Sequence, residues 1–262
     1  MTTPNDQFRD ARLKIERAKH HIADLHSKVQ ILSVGSFHVL TVENNPQTGN
    51  DVLKIEIVQF SSSASEFALI IGDALHNLES ALDHAINEVV FRPLKSYDDH
   101  TKFPFKSTRD KLVSSINGAL IHRASVAVCN FIVDTVKPYD GGNSALLALN
   151  DLNNVDKHRL LLPVVHINVI NGIRIKNGGH EEVFDQVISG GRRFVSHDLP
   201  GRDFKVTNKG TASILVLFDK GTVWEGKPIL PTLSQVAEMV TGLVAGIEEV
   251  FFAESRRLEF IK

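Results

Sequence analysis

The stretch from Ser63 to Phe91 constrains the fold most, because its pattern predicts one long amphipathic helix. Ser63 and Glu66 have the spacing of a capping box, which marks the start of a helix. The apolar side chains that follow recur three or four residues apart, so they lie on one broad face of that helix. They are Leu75, Leu78, Leu82, Ile86 and Val89. We expect this face to be buried in a helix bundle.

Short, hydrogen-bonding side chains, several of them titratable, form the opposite face of the predicted helix. At roughly 100° per residue they fall within about a third of its circumference. They are Asp73, His76, Asn77, Ser80, His84 and Asn87. A solvated helix face usually carries long charged side chains, yet no Lys or Arg occurs from Ser61 to Phe91. Such a polar stripe suits an interface inside a bundle, a metal or ligand site, or a catalytic cleft.

Composition limits the class of protein. The chain of 262 residues is 42% hydrophobic and 23% charged, which is typical of a soluble globular protein. Its net charge of −2 creates no strong field that would attract nucleic acid or an acidic membrane. Cys129 is the only cysteine, which excludes an intrachain disulfide and a zinc site built of cysteines. The polar start and the lack of an apolar run of about 20 residues predict a cytoplasmic protein with no membrane partner.

Helical periodicity also marks the two ends of the chain. Phe8–Leu32 has a heptad-like apolar seam that is suited to packing along another long helix. Thr232–Leu258 is amphipathic, and Gly242 and Gly246 would allow another helix to approach it closely. Further helices are predicted over Ser107–Ile116, Ala119–Val136 and Ser144–Lys157. We expect the first, central and last helices to pack into one bundle.

Two parts of the chain have β character. Ser36–Phe60 contains two β-rich runs around a turn-forming segment and is predicted as a hairpin. From Leu160 the pattern becomes strand-like, and Asn171–Gly172 is a strong hairpin signal. Further strands are predicted over Glu182–Ile188, Arg202–Thr207 and Ser213–Phe218.

The fold class is therefore α+β, with a helical bundle, a β-hairpin and an antiparallel sheet layer. We expect a single domain over residues 1–262. Its parts are a helical bundle over 1–159 with the hairpin at 36–60, a β-sheet region over 160–224, and a bundle helix over 232–258.

The end of the predicted Ser144–Lys157 helix carries the most chemistry. Asp151, Asn154 and His158 lie along one of its faces, and Asp156 and Arg159 add charge at its end. His158 could act as a general acid or base and Arg159 could stabilise charge on a phosphate. Across the bundle from Asp73, Asn77 and His84, these groups would form a metal-independent site for phosphodiester cleavage.

Two alternatives use the same polar stripe. In the first, His158 and Asp156 form hydrogen bonds to the stripe and lock two helices together, because buried polar groups need hydrogen-bond partners. The protein is then a non-catalytic interaction protein. In the second, Asp73 and His76 resemble the carboxylate-x-x-His pairs of helix-bundle metal proteins, and the protein is a metal-dependent hydrolase. Further ligands would come from Asp151 and His158, or from His20 and Asp24. No cofactor is predicted, because the chain has no P-loop and no dinucleotide-binding fingerprint.

Two motifs carry a family resemblance. Gly72–His84 reads GDALHNLESALDH, which includes Asp83, and Asn154–Arg159 reads NVDKHR. Together they resemble a bacterial protein family of uncharacterised function. More distantly, a helical bundle with a polar residue and a His on one helix resembles the HEPN superfamily. Many members are dimeric, metal-independent ribonucleases with an Arg-x(4–6)-His motif. That resemblance implies RNA cleavage and a homodimer, with His158 as the motif His and Asn154 at the place of its Arg.

Overall fold

The computed structural model of the protein describes residues 7–34, 38–57, 61–96, 101–161, 163–188 and 194–259. Its helices are α1 (Arg9–Val34), α2 (Ser61–Leu94), α3 (Arg109–Asn117), α4 (Leu120–Ala124), α5 (Val126–Phe131), α6 (Ser144–Asp156) and α7 (Ile229–Glu259). Its strands are β1 (His38–Asn44), β2 (Asp51–Ile57), β3 (Pro163–Asn177), β4 (His180–Val187), β5 (Phe194–Leu199) and β6 (Lys205–Phe218). The α+β class is confirmed.

The long helix α2 lies at the centre of the helical part. It begins at Ser61, so the predicted start at Ser63 is two residues late, and it continues to Leu94. Its predicted apolar face is confirmed, because all five of its side chains are at most 1% exposed. α1 packs along α2, as the heptad-like spacing predicted, and α7 contacts both helices. The main core cluster lies between these helices.

The ends of α1 and α7 meet through aromatic rings. Phe8 lies 6.3 Å from Phe251 and 6.1 Å from Phe252 between ring centroids, in edge-on arrangements.

Nearer the middle of α7, Gly246 lies against the ring of Phe131, and a Cβ at this position would be 2.7 Å from the ring. The close approach predicted at Gly246 is therefore confirmed. Among the described residues, no neighbouring atom lies within 4 Å of a Cβ placed at Gly242, so the same prediction for Gly242 is wrong.

The prediction of one helix over Ala119–Val136 is wrong. Ser125 is extended, with φ −158° and ψ 110°, and it separates α4 from α5. The hydroxyl oxygen of Ser125 accepts a bond from the N–H of Val128, so it caps α5. Glu254 of α7 stabilises the same helix start, because its carboxylate accepts bonds from the Ser125 hydroxyl and the Ala127 N–H.

The strands form two three-stranded antiparallel sheets, ordered β1-β2-β5 and β4-β3-β6. The predicted hairpin is confirmed as β1 and β2, although residues 36–37 and 58–60 of its predicted range lie outside the described residues. β5 was not predicted, and it extends this hairpin into a sheet by pairing with β2. A second core cluster lies among the strands.

The hairpin turn predicted at Asn171–Gly172 is wrong. Both residues lie inside β3, and the register shifts between Ile170 and Ile173 as in a β-bulge. Gly172 has φ +71°, which a bulge accommodates as well as a turn does. The chain instead turns at Gly178 and Gly179, between β3 and β4.

The two strands predicted over Arg202–Thr207 and Ser213–Phe218 likewise belong to one strand, β6, which begins at Lys205 and leaves residues 202–204 outside it. Gly210, with φ +75°, lies within it. Among the described residues, no helix has both the length and the apolar character that a membrane crossing needs.

We expect Gly246→Ala to lower the free energy of unfolding relative to Gly242→Ala by about 1–3 kcal/mol, the usual cost of overpacking. Both substitutions remove the flexibility of a helical glycine, so the comparison isolates the clash with Phe131. Urea denaturation of both variants measures the difference. Equal stabilities would show that the ring of Phe131 moves aside at no cost.

Candidate functional site

A cleft of about 350 Å³ opens between α2 and α6. α2 contributes two carboxylates to its wall, and α6 contributes two asparagines and a lysine. The segment between α2 and α3 adds two more lysines. These polar lining residues are Glu79, Asp83, Asn150, Asn154, Lys157, Lys102 and Lys106. The cleft therefore combines a pair of acids with three cations.

The opposite wall of the cleft is apolar. It includes Phe103, Pro104 and Phe105, with Ile116 and Ile121 from α3 and α4. The rings of Phe103 and Phe105 contact each other at 5.0 Å between centroids. A volume of this size, with one apolar and one polar wall, suits a small ligand that has both an apolar ring and a charged group.

The side chain of Glu79 is only 13% exposed. Lys157 Nζ lies 3.5 Å from its Oε1, the side chain of Asn153 bonds to it, and its Oε2 is buried without a hydrogen-bond partner. Burial raises the pKa of the Glu79 carboxyl, and the charge of Asp83 raises it further. The contacts with Asn153 and Lys157 oppose the rise. Ionised Glu79 is thus only partly compensated.

Asp83 follows Glu79 by one helical turn, so both carboxyls lie on the same side of α2. Its Oδ1 accepts a bond of 2.8 Å from the N–H of Phe103, which ties the apolar wall to α2. Burial raises the pKa of Asp83, while the bond from Phe103 and the charge of Lys102 lower it. The charge of Asp83 is one of the influences that raise the pKa of Glu79, as expected for two acids one turn apart.

The end of α6 rests directly on α2. The carboxylate of Asp156 lies against Gly72, where an added Cβ would be 2.6 Å from its Cγ. The N–H of Leu161 donates to this carboxylate, whereas its Oδ1 has no partner. Burial raises the pKa of Asp156, and the nearby charge of Asp73 adds to the effect, whereas His76 lowers it. Gly72 is therefore the residue that allows α6 to approach.

The predicted polar stripe of α2 does not face one partner. Asp73 and His76 are exposed. Asn77 is buried and faces α1, because its Oδ1 accepts from Lys14 Nζ at 3.5 Å. His76 Nε2 lies 3.4 Å from the hydroxyl of Ser80. His84 is half-buried, and none of the six residues of the stripe is among the described residues that line the cleft.

Of the predicted site residues, the cleft brings together Asp83 and Asn154. His158 and Arg159 are exposed beyond the end of α6, and their N–H groups both donate to Val155 O at 3.0 Å. Within the described ranges no side-chain hydrogen bond joins His158 to α2. Asp151 is exposed on α6 and lies outside the cleft lining, as does Asp156.

The sequence interpretation missed Glu79 and the three lysines. Glu79 stands four residues before Asp83, and that helical spacing was a usable signal. Lys157 could have been placed by its position at the end of a predicted helix. Lys102 and Lys106 carried no signal, because only tertiary packing brings their segment over α2.

The described residues give little support for a metal site or for a reactive cysteine thiol. They contain no group of three or more His, Cys, Asp or Glu placed to hold a metal ion. Cys129 is buried, and burial raises its pKa to about 12, so its thiol is not a reactive nucleophile.

Comparisons with known proteins leave the site to be interpreted from its geometry. No protein-family model matches the chain, and no curated protein or solved structure matches it. The resemblances to the bacterial family and to the HEPN superfamily therefore stay predictions.

We expect Gly72→Ala to lower the free energy of unfolding by about 1–3 kcal/mol, since the added Cβ meets the Asp156 carboxylate. Asp156→Ala in the same chain should remove most of that cost. A double-mutant cycle in urea measures the coupling, with Asp151→Ala as the control on an exposed position of α6. Additive effects of the two substitutions would contradict this description of the contact.

Proposed function

We propose that the cleft between α2 and α6 binds a phosphodiester of RNA and cleaves it by acid–base catalysis without a metal. The observation that supports this most is the pair of half-buried carboxyls, Glu79 and Asp83, in a cleft that also holds three lysines. Lysines bind phosphate as point charges and stabilise the charge that develops in the transition state. A carboxyl whose pKa is raised by burial can serve as a general acid, and an ionised carboxyl beside it can serve as the base.

In the proposed reaction, Asp83 takes the proton of the ribose 2′-hydroxyl, and the 2′-oxygen forms a bond to phosphorus. The bond from phosphorus to the 5′-oxygen breaks, and Glu79 donates a proton to that oxygen. The products are a 2′,3′-cyclic phosphate and a 5′-hydroxyl. The N–H bond from Phe103 favours the ionised form of Asp83, which suits a base. The buried, unpartnered Oε2 favours the protonated form of Glu79, which suits an acid.

The motif-based assignment is a rival for the same reaction. It places His158 as the acid–base group, Arg159 as the charge stabiliser and Asn154 as their orienting partner. Asn154 also lines the cleft, so it lies at the site in both assignments. The homodimer and the cytoplasmic location rest on the sequence alone and stay predictions.

A second candidate function is a non-catalytic interaction protein whose polar contacts are structural. The favouring observation is that the same contacts join α2 to α6. Asn153 and Lys157 reach Glu79, and Asp156 packs on Gly72. If these contacts serve stability alone, Glu79→Gln will change the free energy of unfolding and no RNA will be cleaved.

We expect Asp83→Asn to lower the rate of RNA cleavage about 10²–10⁴-fold, the usual contribution of an acid–base group. Asparagine keeps an acceptor for the Phe103 N–H, so the fold should hold.

Lys106→Ala should raise KM by about tenfold, the effect of losing a hydrogen bond to a charged group. Cleavage of single-stranded RNA in the presence of EDTA, with detection of cyclic phosphate ends, measures both.

Asp151→Asn and Lys111→Ala are matched controls, since both residues lie outside the cleft lining. His158→Ala separates the two assignments, because the rival assignment predicts a loss of activity and the cleft assignment predicts none. Wild-type protein that cleaves no RNA, with or without a divalent metal, would overturn the proposed function.

A further inference from the structure

Lys157 makes an ordinary hydrogen bond to Asn154 and a longer contact with Glu79. Its Nζ lies 3.5 Å from Glu79 Oε1 and 3.1 Å from Asn154 Oδ1, and its side chain is 47% exposed. A short charge-assisted bond would measure about 2.7–2.9 Å. The ammonium group of Lys157 is therefore held loosely at the edge of the cleft and can turn to a stronger anion.

We infer that the phosphate anion of a phosphodiester bound in the cleft takes Lys157 away from Glu79, and that Glu79 takes up a proton in exchange. This inference rests on the proposed function, since it requires that the cleft bind phosphate. The exchange is simple: the carboxylate of Glu79 gains one proton from solvent and becomes neutral, and no other bond forms or breaks.

The groups that face Glu79 make this exchange favourable. From α6 and its C-terminal end they are the neutral Asn153 and the cation Lys157, and from α2 the partner is the acidic Asp83. Lys102 and Lys106, from the segment before α3, line the same cleft. When Lys157 turns to a phosphate, Glu79 keeps one amide donor, a like charge one turn away and a buried, unpartnered Oε2. An uncompensated carboxylate in such a site takes up a proton instead of remaining charged.

The charge of the bound phosphate acts in the same direction. Burial already raises the pKa of Glu79, and Lys157 is one of the contacts that lower it. Removing Lys157 and adding an anion both raise this pKa further. The cleft would then acquire its general acid only when phosphate is present, so binding and proton loading would be coupled.

Inorganic sulfate is the probe, because it is a tetrahedral oxyanion like the phosphate group and does not titrate near neutral pH. Sulfate binding to the full chain is measured by calorimetry at constant ionic strength, and proton uptake is measured in a pH-stat from about pH 4 to 8. We expect uptake of up to about one proton per sulfate, and an affinity that rises by as much as about tenfold per pH unit as the pH falls through the window.

The variants assign the proton. Glu79→Gln should still bind sulfate but lose both the uptake and the pH dependence of the affinity. Lys157→Gln should bind sulfate more weakly and take up fewer protons per sulfate bound. Asp151→Asn should behave as the wild type. Circular dichroism of each variant checks the fold.

Sulfate binding without proton uptake would overturn the inference and leave the anion site intact. Uptake that persists in Glu79→Gln but is lost in Asp83→Asn would assign the proton to Asp83 and would also overturn it. A wild-type cleft that binds no sulfate would overturn the inference and remove the basis of the proposed function. RNA cleavage by the same preparation tests that function separately.

Discussion

The burial of α2 on several sides is the constraint on which the rest of the structure depends. The apolar face of α2 packs against α1 and α7. The polar side chains of α2 must therefore form hydrogen bonds to neighbouring helices, or they remain partly desolvated without a partner. The absence of Lys and Arg along most of α2 permits this packing, because no long cation has to reach solvent. Gly72 then allows the end of α6 to rest on α2.

That packing accounts for the chemistry of the cleft. Glu79 and Asp83 face α6 and the Phe103 segment, and burial raises the pKa of both carboxyls. Polar groups held at such a cost are frequent at functional sites, where stability is given up for activity. The three lysines that line the same space supply opposite charge, which fits an anionic ligand.

The sequence predicted the parts of this structure that follow a regular period. α2 and its buried face were predictable because the apolar pattern continues for many turns. Asn171–Gly172 misled because a glycine with positive φ serves a bulge and a hairpin turn equally. The break at Ser125 depends on Glu254 in a distant helix, and the lysines of the cleft come from a segment that only tertiary packing places there. Local patterns carry no such information.

A titration of the carboxyl carbons of Glu79 and Asp83 by NMR tests the central claim most directly. Glu79→Gln and Asp83→Asn assign the two signals, and because the pair is coupled, the curves are fitted together. We expect both carboxyls to titrate above their ordinary values of 4.5 and 3.8, since burial raises each pKa. Midpoints at or below these values would show that the two acids are solvated, and would contradict a desolvated acid pair in the cleft.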